Sequence, residues 1–180
     1  MVLLISIIVL GLVFDYINGF HDAANSISTI VTTRVLTPFQ AVLWAALFNF
    51  VAFFISKYII GEFGIANTVS KTVYEHYITL PIILAGVIGA IAWNLLTWWK
   101  GIPSSSSHTL IGGFAGAAIA ANGFVAIQAS VILKIAAFIF LAPLVGMFIA
   151  FVFSLIVSYG FKHVPHTKAS MWFKRLQLLS

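Results

Sequence analysis

The stretch Gly101-Ile-Pro-Ser-Ser-Ser-Ser-His-Thr109 decides how the rest of the chain is read, because it sets four consecutive serines in a sequence that is otherwise almost continuously apolar. In lipid, every unmet backbone N–H or C=O carries a heavy energetic cost, so irregular polar backbone at membrane depth survives only where protein buries it or where it lines a cavity. The serine run is therefore a candidate site. Gly101 and Pro103 read as a turn, and serine is a favoured N-cap residue, so a helix is expected to begin within the run. The free N–H groups and positive dipole end of such a terminus attract anions. Ser104, Ser105, Ser106, Ser107 and Thr109 add hydroxyl donors. A serine-rich linker is the bland alternative, and the flanking Trp98, Trp99 and glycine/alanine helix argue against it.

Composition sets the frame around that site. With 62% hydrophobic and 7% charged residues, a soluble domain is excluded and an all-α integral membrane protein is expected, built as a multi-span helical bundle. The net charge of +5 does not call for nucleic acid, because Lys162, Lys168, Lys174 and Arg175 gather in the last nineteen positions. A basic juxtamembrane tail accounts for them. The absence of cysteine excludes disulfides, thiolate metal sites and cysteine nucleophiles, and no motif asks for a cofactor. Met1 to Phe14 lacks a basic leader and a small-residue cleavage site, so it is read as a first span rather than a secretory signal.

A helix needs roughly 20 apolar residues to cross the hydrocarbon core, which places spans near Val2 to Asn18, Phe39 to Ile60 and Leu80 to Trp99. The first helix is expected to break near Gly19. From Ile102 to Ala121 the chain is long enough to cross, but Pro103 and the serines make a re-entrant helical hairpin of two half-helices compete with a span. Val125 to Tyr159 carries Pro143 and reads as one kinked, tilted helix or two short ones. Residues 1–161 form the membrane repeat, and 162–180 a basic cytoplasmic loop. If five segments cross, Arg34, Lys100 and the tail share one side, and the 61–79 connection, with Glu62, Lys71 and Glu75, faces the other. Two small-residue stripes, Gly112/Gly116/Ala120 and Gly113/Ala117/Ala121, are expected to bring the serine helix close to a neighbour.

A second polar constellation lies upstream. At helical spacing Asp22, Asn25, Ser26, Thr29 and Thr33 form one stripe, with His21, Ser28 and Thr32 beside it and apolar residues opposite. Such a face lines a cavity more readily than it lies at an interface, because it lacks basic residues. An acid within a membrane segment costs at least about 2.5 to 3.5 kcal/mol, so Asp22 is expected to have a function or a partner. With the carbonyl oxygen of Asn25 it offers the hard ligands a small cation prefers. Asp15 has the weaker claim. His21 is either a proton shuttle or a hydrogen-bonded structural residue. One constellation offers oxygens to a cation and the other donors to an anion. Without arginine in either, a doubly charged anion would need co-bound cations, which is a physical reason for symport.

These residues carry a family likeness. Asn18-Gly-Phe-His-Asp-Ala-Ala-Asn25 and Gly101-Ile-Pro-Ser-Ser-Ser-Ser-His-Thr109 resemble the two signatures of the inorganic phosphate transporter (PiT) family, bacterial type, and the segments Trp93 to Trp98 and Ala142-Pro143-Leu-Val-Gly146 are similar as well. The resemblance implies a symporter that imports inorganic phosphate with sodium or protons across the cell membrane. By match, Ser104 to Ser107 and Thr109 hold the anion, and Asp22 and Asn25 the cation. Asn94, His108, His21 and Thr29 are supporting candidates. Family members contain two inverted repeats, each with both signatures, whereas each appears once here. The chain is therefore expected to be one half of an inverted-repeat transporter, the N-terminal repeat, which pairs with a second copy in a homodimer or with a second repeat whose start Met171 to Ser180 resembles. Other readings are a sulfate or other oxyanion transporter, a passive channel, and, from another class, an intramembrane serine hydrolase with His108 as base. No orienting acid stands near His108 in sequence, so the chain is not expected to be an enzyme.

Overall fold

A computed structural model describes residues 1–61 and 64–178, apart from the side chains of 64–66. The described residues run α1 (Val2–Thr32), α2 (Pro38–Ile55, prolonged by the π turn Ser56–Ile60), a short α3 (Gly64–Ser70), α4 (Leu80–Lys100), α5 (Ser106–Asn122), α6 (Ala129–Phe161) and α7 (His166–Leu176). Among them α1, α2 with its π turn, α4 and α6 are long and apolar enough to cross a membrane. The protein is a multi-pass, all-helical membrane protein. Glu62, assigned above to the outward-facing connection, lies outside the described residues.

The chain forms two compact units, Met1–Asn25 with Leu47–Ile132, and Ser26–Ala46 with Leu133–Ser180. In the first, α4 and α5 make an antiparallel hairpin with the serines at its tip. Gly101 ends α4 because it adopts the left-handed conformation at φ 65°, which lets its N–H return to Thr97 and Trp98; Ile102 N–H also donates to the Thr97 carbonyl at 2.9 Å. Glycine takes that conformation at no steric cost, and Pro103 then prevents the helix from resuming. The re-entrant hairpin of two half-helices expected within Ile102 to Ala121 is corrected: a single helix, α5, occupies that stretch, and the hairpin is the one it makes with the full-length α4. At the other end an antiparallel bridge joins Val73 to Ile127, with Tyr74 N–H donating to Ala126 and Gln128 N–H to Thr72 at 3.0 and 2.9 Å. Val73, Ile82, Phe114, Ala118 and Ala126 form a buried core beneath the hairpin.

Close packing of the two arms rests on glycine. A Cβ added to Gly113 would collide with the Gly86 carbonyl oxygen, and one added to Gly86 would lie 2.9 Å from Phe114 Cα. Only one of the two expected stripes does this work, since a Cβ at Gly112 or Gly116 would meet nothing within 4 Å. The expectation that both stripes mediate approach is corrected accordingly.

In the second unit α1 ends without glycine. Arg34 takes φ 56°, its N–H bonding Val31 and that of Val35 bonding Ile30, both at 3.0 Å. This is the double hydrogen-bond pattern that usually carries glycine at the left-handed position. Thr37 and Gln40 then form a reciprocal cap for α2, Thr37 N–H donating to Gln40 Oε1 at 3.1 Å and Gln40 N–H to Thr37 Oγ1 at 3.4 Å, with Pro38 as the first helical residue. The region with two readings around Pro143 is one helix, α6, of 33 residues. Its most apolar window has no residue buried, against 28% for that of α4, which packs on α5 within the first unit.

The break expected near Gly19 is absent, since α1 continues through 31 residues. Glycine costs a helix about 1 kcal/mol relative to alanine but keeps its N–H and clashes with nothing. Only proline would have removed a hydrogen bond and forced a kink.

Candidate anion and cation site

All the following side chains belong to the first unit. Ser105 is the N-cap of α5, its Oγ accepting from His108 N–H at 3.5 Å. Its carbonyl accepts from the Thr109 hydroxyl at 2.9 Å. Ser104 turns back to α4, where its hydroxyl lies 3.0 Å from Thr97 Oγ1. Ser106 donates to Asp22 Oδ2 at 3.4 Å, bringing together two constellations 84 residues apart in sequence. On the other carboxylate oxygen, Oδ1, His21 Nδ1 lies at 3.3 Å, the imidazole largely covered and the Asp22 side chain 42% exposed. Phe20 meets Trp98 edge-on with ring centroids 5.4 Å apart, which holds this part of α1 against α4.

Beside these residues opens a cavity of about 460 Å³ lined by Ser104, Ser105, His108, Thr109, Gly112 and Gly113 from the serine run and α5, and by Gly89 and Trp93 from α4. The glycines leave backbone where side chains would fill the space. The hydroxyl-bearing residues Ser104, Ser105 and Thr109 line it without a cationic side chain beside them, an arrangement suited to an oxyanion whose charge is balanced by something other than Lys or Arg.

Of the residues singled out by sequence, Ser104, Ser105, His108 and Thr109 line this cavity, while Ser106 and Asp22 meet next to it. Ser107 is half-buried and not among the lining residues, and Asn25 is exposed one turn along α1 from Asp22. Asp15 is exposed on the same helix. Thr29, by contrast, belongs to the second unit, where its carbonyl accepts from the Thr33 hydroxyl at 2.8 Å.

Asn94 is the most unusual of them. It is 1% exposed, yet neither Oδ1 nor Nδ2 has a hydrogen-bond partner among the described residues, and Asn18 Oδ1 is covered and unpartnered too. Buried polar groups left unpaired cost about 1 to 3 kcal/mol each, and native structures retain few of them without a reason. Asn94→Leu, which removes both orphans and keeps the branching at the same carbon, is therefore expected to raise the ligand-free melting temperature by several degrees, measured by thermal unfolding in detergent. A lowered melting temperature would show that the amide is satisfied and structural.

Sequence reading passed over Thr97, buried at 1% exposure with its hydroxyl also donating to the Trp93 carbonyl at 2.9 Å. The buried positions of α4 are Ile82, Gly86, Ala90, Asn94 and Thr97, one helical face on which the two polar residues sit at the tip end.

Comparison with known proteins bears on these motifs. The sequence model described as Phosphate transporter family matches residues 18–178, starting at the first residue of the Asn18–Asn25 motif. The chain belongs to the phosphate transporter family. Within that family it is 45% identical over 99% of its length to a probable low-affinity inorganic phosphate transporter of Rhizobium meliloti, covering 52% of that protein. It is 42% identical over its whole length to one from Bacillus subtilis, covering 53% of it. The chain thus spans about half the length of these curated relatives of the phosphate transporter family. A solved structure described as the sodium-dependent phosphate transporter superposes with a TM-score of 0.80 at 27% identity, covering 94% of this chain and 42% of that one.

Proposed function

We propose that the chain forms half of a symporter that imports inorganic phosphate, with Ser104, Ser105, Ser106, Ser107 and Thr109 holding the anion and Asp22 and Asn25 holding the coupling cation. The observation that carries this reading is the Ser106–Asp22 contact of 3.4 Å, which joins the donor-rich helix terminus to a carboxylate. Neither 22–33 nor 101–123 contains Lys or Arg, so a phosphate dianion entering this site needs cations to accompany it. The orphaned Asn94 amide, with a carbonyl oxygen for a cation and an N–H₂ for an oxyanion, fits a site completed by its ligands.

Sodium is the favoured coupling ion, supported by the superposing structure described as sodium-dependent. Proton coupling has its own support in the His21–Asp22 contact of 3.3 Å, which sets a ring nitrogen against a carboxylate oxygen between which a proton could pass. The remaining half of the site would come from a second copy of this chain or from a further repeat.

Uptake of labelled phosphate into proteoliposomes, with sodium and pH gradients imposed separately, tests the reading. Accumulation driven by one gradient and not the other names the ion, whereas uptake indifferent to both gradients would mean a passive channel. Sulfate should compete poorly, because it lacks the proton with which phosphate can donate to Asp22. Asn94→Leu should also abolish the rise in melting temperature that sodium with phosphate produces in the unaltered chain. An undiminished ligand-induced rise would remove Asn94 from the site.

A further inference from the structure

The second unit holds a cavity of about 540 Å³ whose polar walls are Arg34, Lys174 and Arg175 together with Thr167 and Ser170. Its charge is one-sided. No Asp or Glu occurs in 26–46 or 133–180, while Arg34, Lys134, Lys162, Lys168, Lys174 and Arg175 do. Among the described residues none of the three cavity cations makes an ion pair. Three concentrated positive charges without an opposing carboxylate repel one another, and an anion in the cavity removes that penalty.

The fold builds this cavity from both sides. On α7 the residues Thr167, Ser170, Lys174 and Arg175 share one face, and Ala169, Trp172, Phe173 and Leu176 share the opposite one. The apolar face is fastened where α6 ends, with Phe173 and Phe161 ring centroids 4.7 Å apart. Thr33 Oγ1 and Gln177 Oε1, 2.9 Å apart, tie α7 to the end of α1. Arg34 arrives in a left-handed conformation at φ 56°, which non-glycine residues adopt only against steric resistance. Strained residues of this kind concentrate at ligand clamps.

We infer that this cavity binds the phosphate-bearing headgroup of an anionic membrane lipid. Arginine offers a planar fork that pairs with two phosphate oxygens, and lysine adds a point charge. A lipid is favoured over free phosphate for two reasons. The cavity lies where the membrane-length α6 gives way to an amphipathic helix bearing Trp172, the level at which headgroups and interfacial aromatics sit. Val35, Met171 and Leu178 complete the wall, and α6, with no residue buried over its most apolar window, offers a surface along which acyl chains can lie. The inference does not depend on what the serine site carries.

Titration of the detergent-solubilised chain with phosphatidylglycerol, read by native mass spectrometry against phosphatidylcholine, tests it. Each cavity cation should contribute about fivefold to retention of the anionic lipid, so Lys174→Gln with Arg175→Gln should weaken it about 30-fold. Arg34→Gly should weaken it about fivefold without lowering the melting temperature, because glycine fits the left-handed backbone better than arginine does. Lys162→Gln with Lys168→Gln, tail cations outside the cavity, should cost no more than about twofold, being screened at a distance. Equal losses in the two double variants would show diffuse attraction to the tail, and unchanged retention in the cavity variants would exclude the site. Displacement of the lipid by an equal concentration of inorganic phosphate would overturn the lipid assignment in favour of a free-anion site.

Discussion

Asp22→Asn is expected to abolish gradient-driven phosphate uptake while leaving membrane insertion intact. The substitution keeps the size of the side chain and an oxygen that can accept from Ser106, whose hydroxyl lies 3.4 Å from Asp22 Oδ2. Only the charge is lost. Interactions with a charged partner are worth about 1.5 to 3 kcal/mol, so cation affinity should fall roughly 10- to 150-fold. A dianion without its cation is then held only by neutral donors. The comparison is between initial uptake rates of the two chains reconstituted at equal density, with sodium dependence measured in each. Wild-type rates in the Asn variant would remove the carboxylate from the coupling step and end the proposed role of Asp22.

Two adjacent glycines should respond in opposite ways. Gly113→Val places branched carbon against the Gly86 carbonyl oxygen and within 3.2 Å of Ala90 N, both backbone atoms that cannot rotate away. Overpacking of this sort costs about 1 to 3 kcal/mol where side chains can yield, and here they cannot. The α4–α5 hairpin should separate, with a large fall in melting temperature and loss of the serine cavity. Gly112→Ala meets nothing within 4 Å and gains about 1 kcal/mol of helix propensity, so its melting temperature should hold or rise. A pair of equal melting temperatures would contradict the packing of the hairpin.

Much of the fold was legible in composition and spacing. Spans of apolar residues and their ends announced α1, α2 and α4, and the Gly101–Pro103 turn announced the hairpin tip, because glycine and proline act through local geometry that tertiary context seldom overrides. The break proposed at Gly19 failed for the converse reason, since a lone glycine weakens a helix without interrupting it. Parallel stripes through Gly112 and Gly113 look alike in sequence, and which of them packs is set by the rotation of α5 against Gly86. That is a tertiary fact. Thr97 escaped notice because, within a uniformly apolar helix, every face looks equally fit to be buried. The left-handed Arg34 had no local signal at all, since side-chain chemistry gives no reason for that backbone.

The bridge between Val73 and Ile127 clasps the hairpin at the end opposite its serines. With its base latched by main-chain bonds and its arms interlocked through Gly86 and Gly113, the hairpin has no internal hinge between clasp and tip. A displacement imposed at the clasp would therefore be carried along both arms to Ser104 with little bending between, as a rod carries a push from one end to the other.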